Sequence, residues 1–177
     1  MHINKNIPYY ITSVGIFILL KVGFTYANND DLSFLLKPTD KFIGLLTGSQ
    51  STYLSEYGFF YEKLNILIEK SCCGFNFWIL GFLVFSYLGL RYFDKTSHKI
   101  LTIPISLLGA YLLTIFVNTS RIFASIVLQS QTSSFISGHQ HLVHEAIGII
   151  TNLSFLILAY YLIEKLFIQL KHHAKPA

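Results

Sequence analysis

A chain of 177 residues that is 53% hydrophobic and only 12% charged, with a mean hydropathy of +0.53, is too apolar for an ordinary soluble enzyme or binding module. Its formal charge of +4 is mild and its Lys and Arg are scattered, a balance that membrane topology explains and that carries no nucleic-acid signature. The sequence therefore predicts an all-α integral membrane protein: a single multi-pass domain with about four transmembrane helices of about 20 residues each and amphipathic segments at the interface.

The first predicted span covers residues 9–26, preceded by Lys5 and followed by Asn28, Asn29, Asp30 and Asp31, which places its amino end inside. Lys21 interrupts the span and is expected to snorkel toward an interface. A removed leader is the competing reading, because Thr25-Tyr26-Ala27 resembles a small-residue cleavage site. Residues 28–71 carry too many charges to span. Apolar clusters at 32–36, 42–46 and 59–68 predict amphipathic interfacial segments, separated by Pro38 and by the GSQST turn. The piece EYGFFYEKLNILIEK repeats apolar residues at helical spacing and leads to Cys72. It reads either as a lid over a substrate site or as a packing collar.

The second predicted span, 75–93, ends among Arg91, Asp94, Lys95, His98 and Lys99, a basic loop of the kind kept in the cytoplasm. The third covers 100–117, or extends to 128 if IFASIVL continues it, which would make a helix of about 43 Å across a hydrocarbon core of about 30 Å. Residues 129–143 form a polar loop, and 146–167 form the fourth span. The tail holds Lys171, His172, His173 and Lys175, so both termini are expected inside, with 28–71 and 129–143 outside.

Three unusual sites fall at the ends of these spans, on one side of the membrane. Cys72 and Cys73 precede the second span, and adjacent cysteines with no other Cys in the chain are free thiols unless they pair between chains. A thiol at a helix amino terminus is activated by the helix dipole, although a lone Cys is also a common small apolar filler. Arg121 lies within or near the bilayer, where an arginine costs several kcal/mol unless it is paired or faces a polar cavity, or where it snorkels to phosphate. Asn118, one turn earlier, shares its face. In GHQHLVHEAIG, His139, His141, His144 and Glu145 read as metal ligands, His144 alone reads as a general base or acid, and the cluster also reads as plain loop polarity. Gly148, one turn after His144, allows close helix approach.

Cys72-Cys73-Gly74 resembles the Cys-x-Gly motif of the exosortase and archaeosortase family. Asn118-Thr119-Ser120-Arg121 resembles its Asn-x-x-Arg, and His144-Glu145-Ala146-Ile147-Gly148 its His-x-x-x-Gly. The order of the motifs matches as well, over roughly residues 65–165, and the short chain is similar to the compact exosortase K type. The resemblance implies a thiol protease or transpeptidase of the cell (inner) membrane, with its active site on the non-cytoplasmic side. It implies Cys72, Arg121 and His144 as catalytic residues, with Gly74, Asn118 and Gly148 in support. Cys73 stands where the family carries a small residue such as Ser. No metal or cofactor is expected. The implied partners, besides the lipid bilayer, are exported proteins whose C-terminal sorting signal is a motif, an apolar helix and a basic tail. Two other classes remain: a metal-dependent membrane hydrolase or carrier built on the His139, His141, His144 and Glu145 cluster, and a non-enzymatic membrane subunit in which Arg121 pairs with a partner's acid.

Overall fold

The computed structural model describes residues 5–93, 95–131 and 140–173, with side chains described except at 129–131, 140–145 and 172–173. It is an all-α integral membrane protein in architecture. Four helices are long and apolar enough to cross a bilayer: α1 (Ile7–Tyr26), α3 (Phe75–Tyr92), α4 (Thr96–Gln131) and α5 (Gln140–His173). Between α1 and α3 lie α2 (Ser33–Thr47) and three short strands, β1 (Thr52–Leu54), β2 (Gly58–Tyr61) and β3 (Ile66–Ile68).

The centre of the bundle is α3. Its apolar window is 67% buried, whereas those of α1 and α5 are each 6% buried. Small residues set the close approach of α3 to α4. A methyl on Gly81 would sit 3.4 Å from Ala110 Cβ, and one on Gly89 would overlap Thr102 Cγ2. Trp78 Nε1 donates to the Leu107 carbonyl at 3.0 Å, so the indole N–H is satisfied across the same interface. At the end of the bundle remote from the cysteines, Arg91 pairs with Glu164 at 3.2 Å, a half-exposed pair that adds little stability.

Residues 28–71 depart from expectation in two ways. Pro38 does not separate two segments, because α2 runs straight through it. A proline cannot donate to the carbonyl four residues back, here that of Phe34, and the Tyr111 hydroxyl of α4 donates to that carbonyl instead, at 2.8 Å. One amphipathic helix results, burying Leu35, Leu36, Thr39 and Ile43.

The second departure is that EYGFFYEKLNILIEK is not α-helical, having only a 3-10 turn at Glu62–Leu64. It forms β2 and β3, an antiparallel pair with Phe59 opposite Ile68 and Tyr61 opposite Ile66, while β1 pairs on the other side of β2. Aromatic and branched residues favour the pleated state. Two turn positions then fix the register: Asn65 is left-handed at φ 50° and Gly58 has φ 101°. A side chain on Gly58 would collide with the Ile68 carbonyl. Tyr61 is buried, and its hydroxyl donates to Asp40 of α2 at 2.7 Å. The α2 helix, the sheet and the adjoining ends of α3 and α4 share one core, in which Leu35, Ile43, Tyr61, Ile68, Cys73, Phe82 and Ile122 are all buried.

Candidate functional site

The sheet leads into the Cys-Cys-Gly stretch through a short 3-10 turn, Lys70–Cys72, followed by Cys73 in helical geometry and by Gly74 at φ 75°. Gly74 is the cap from which α3 starts, and only a glycine enters this left-handed conformation without strain. Space makes the same demand. A Cβ at Gly74 would meet Thr114 Cγ2 at 3.0 Å and Asn118 Cγ at 3.2 Å. The position therefore has two physical reasons to be glycine.

α4 presents successive turns to this stretch. Asn118 is buried and its Nδ2 donates to the Cys72 carbonyl at 2.6 Å, tying the turn to α4. One turn further on, Arg121 packs against Gly148 of α5. A Cβ there would lie 3.4 Å from Arg121 Nη1 and 3.5 Å from its Cδ. Gly148 is thus the flat place on α5 over which the guanidinium lies. The Arg121 Nε is buried and has no hydrogen-bond partner among the described residues. His144 lies on α5 one turn before Gly148. The side chains of His141, His144 and Glu145, and the whole of His139, lie outside the described residues. Among the described residues no group of three or more His, Cys, Asp or Glu comes together in a metal-binding arrangement.

The two thiols are free and unlike: Cys72 is partly exposed and Cys73 is buried. They also face different spaces. Cys73 and Gly74 line a cavity of about 210 Å³ together with Lys70, Asn76, Arg121 and Asn152. Cys72 lines a separate recess of about 150 Å³ between β3 and α4, with Ile122, Ser125 and Ile126 on the α4 side.

Several residues of the polar cavity were not singled out from sequence. Asn152 is one turn beyond Gly148 on the same face of α5, and a polar side chain inside an apolar span was the available signal. Asn76 accepts from Lys21 Nζ at 2.6 Å, so Lys21 is engaged across α1 and α3 rather than merely snorkelling. Lys70 Nζ donates to the Ala27 carbonyl at 2.6 Å and sits 4.9 Å from the Phe24 ring centre, while Phe24 stacks on Phe75 at 4.4 Å. Nothing local in the sequence marks these last contacts.

Fold and site together define a multi-pass helical membrane protein with a polar, arginine-containing cavity beside a cysteine pair. Comparison with protein-family models, curated proteins and solved structures finds no match to this chain.

Proposed function

We propose that the protein is a membrane cysteine protease or transpeptidase that cleaves a C-terminal sorting signal of exported proteins, as the resemblance to exosortases implies. The observation that carries this reading is Arg121. Its buried Nε, without an acceptor among the described residues, is a costly donor; the guanidinium lies over Gly148 and shares its cavity with Cys73 and Gly74 of the Cys72-Cys73-Gly74 turn. Such a donor suits an oxygen that gains negative charge during reaction.

In the proposed reaction the Cys72 sulfur attacks the scissile carbonyl and its proton passes to His144. The tetrahedral oxyanion is stabilised by Arg121 from the Cys73 side of the turn, which requires the scissile carbonyl to lie across the turn between the two spaces. Collapse breaks the C–N bond, His144 returns the proton to the leaving amine, and a thioester on Cys72 remains. Water or an amine then resolves the thioester and restores the thiol. Asn118, through the Cys72 carbonyl, and Gly74 hold the turn in place. In this reading both termini are cytoplasmic and the site lies on the opposite face of the cell membrane, supported by the basic residues Arg91, Lys95 and Lys99 between the second and third spans and by the basic tail.

The test co-expresses variants with an exported protein bearing an apolar helix and basic tail at its C-terminus, and follows loss of the tail by mass. His144→Ala should abolish processing, His139→Ala and His141→Ala should leave most of it, and a chelator should change nothing. Stoichiometric zinc that is lost, together with activity, in both His141→Ala and His144→Ala would replace this reading with a metal-dependent one.

A further inference from the structure

The recess beside Cys72 has a feature the proposed chemistry does not use. One of its walls is β3, an edge strand. β3 pairs only with β2, and residues 66–68 make no further backbone hydrogen bond among the described residues. Its outer edge leaves backbone groups unpaired, and residues 66–68 line a recess whose opposite wall is α4, through Ile122, Ser125 and Ile126, and which reaches Cys72. An unpaired edge is a template for an added strand. The recess holds about 150 Å³, and an apolar cavity of roughly that size accepts a benzene-sized group.

We infer that an extended segment of the substrate adds to the free edge of β3 as a fourth strand, seating one aliphatic side chain in the recess beside Cys72. The inference rests on the protease reading for the identity of the substrate. Edge groups at strand spacing need a partner that offers donors and acceptors in alternation, which a polypeptide supplies and a lipid acyl chain does not. Ile122 and Ile126 lie one turn apart on α4 and make the recess select an aliphatic residue over a charged one. Because β3 ends four residues before Cys72, a peptide along this edge is delivered to the thiol.

The probes are acetyl-Ala-Ala-X-chloromethyl ketones with X as Gly, Val, Leu, Phe or Lys, applied to the full-length protein in lipid nanodiscs. Each forms a C–S bond with Cys72, releasing chloride and the thiol proton, and mass spectrometry locates the adduct. Rates are normalised to iodoacetamide labelling of the same sample. The Leu probe should react about tenfold or more faster than the Gly probe, and the Lys probe should be no faster than Gly. N-methylation of the X amide should slow the Leu probe roughly fivefold. Ile126→Ala should move the preference from Leu to Phe, and Ile126→Trp should abolish it.

A flat series in the wild type, an N-methyl probe as fast as its parent, or adducts on Cys73 would each overturn the inference. The two readings fail separately. If Cys72→Ala abolishes substrate processing while the probe series is flat, the protease stands without this groove. If the series holds while Cys72→Ala and Cys73→Ser both still process substrate, the peptide groove stands and the protease reading falls.

Discussion

The turn at Cys72-Cys73-Gly74 divides two spaces of opposite character. On one side, Cys72 opens to an apolar recess walled by β3, Ile122 and Ile126. On the other, Cys73 and Gly74 border a polar cavity with Lys70, Asn76, Arg121 and Asn152. The same helix supplies both, because consecutive residues on α4 are turned about 100° apart. Arg121 therefore faces one space while Ile122 faces the other. Binding of an apolar side chain and stabilisation of charge call for opposite surroundings, and a single turn between two cavities provides both within reach of one backbone.

The largest expected effect comes from the thiols themselves. Under the proposed reaction Cys72→Ala abolishes processing, whereas Cys73→Ser retains most of it. The Ser hydroxyl would enter a site that is 1% exposed, so the cost should appear in stability, about 1 to 3 kcal/mol if the hydroxyl finds no partner. Product mass and thermal unfolding of the two variants separate these effects. Loss with Cys73→Ser and survival of Cys72→Ala would move the nucleophile to the polar side. Tolerance of both changes would end thiol catalysis.

Next in size is the polar side alone. Arg121→Lys keeps the charge but not the planar pair of donors, and processing should fall by about 10²-fold or more, the scale of losing one oxyanion donor. An unchanged rate in the Lys variant would mean that a positive charge anywhere in the cavity suffices. Because Gly148 leaves room for the guanidinium, Gly148→Ala should show a smaller loss in the same direction, read as a change in kcat more than in KM.

Much of this could be read from the chain. Spans expected at 9–26 and 75–93 are helices Ile7–Tyr26 and Phe75–Tyr92, because uninterrupted apolar length is a strong signal. The third takes the longer of its two expected extents, 100–128, and runs as Thr96–Gln131, while the fourth extends past 146–167 to Gln140–His173. Polar residues such as His98, Arg121 and His141 do not stop a helix whose backbone bonds are satisfied internally. The sheet was not legible. In EYGFFYEKLNILIEK the apolar residues fit a helical spacing and a strand spacing alike, and the choice falls to long-range partners: Asp40 for Tyr61, β1 for β2. Asn118 and Arg121 were visible as polar residues in an apolar helix, but the separation of the two thiols into two cavities depends on the left-handed Gly74, a backbone angle that no periodicity reports.

That angle leads to the third expectation. Gly74→Ala imposes a left-handed conformation on a residue with a side chain, costing about 1 to 3 kcal/mol, and sets its methyl 3.0 Å from Thr114 Cγ2. The two penalties can be separated. Thr114→Ser removes that methyl while keeping the hydroxyl that donates to the Ala110 carbonyl at 2.7 Å, so the double variant should recover the Thr114 share of the steric cost and leave the Asn118 contact and the backbone part. Recovery of nothing would mean that the turn and α4 do not meet as described.

The smallest effect concerns the cap that carries β3 rather than the cavities. The Tyr61 hydroxyl donates to the Asp40 carbonyl and carboxylate, each at 2.7 Å. Burial, the hydrogen bond to Asp40 and its negative charge all disfavour the tyrosinate, so the phenol is raised well above its ordinary value of 10.0. For a group whose folded value is raised, the unfolded chain releases its proton first. The stabilisation is therefore complete below about pH 10, where both states hold the proton, and declines as pH rises above that value toward the folded one. Tyr61→Phe removes the bond and the titration together, and at neutral pH should cost about 1 kcal/mol. In thermal unfolding from pH 8 to 11, the gap in Tm between wild type and Tyr61→Phe should be constant up to about pH 10 and then narrow. A gap that widens with alkali would place the tyrosinate, not the phenol, as the stabilised form and would detach the sheet from Asp40. Because the sheet supplies the wall opposite Ile122 and Ile126, Tyr61→Phe should also loosen the apolar recess before it affects the polar cavity.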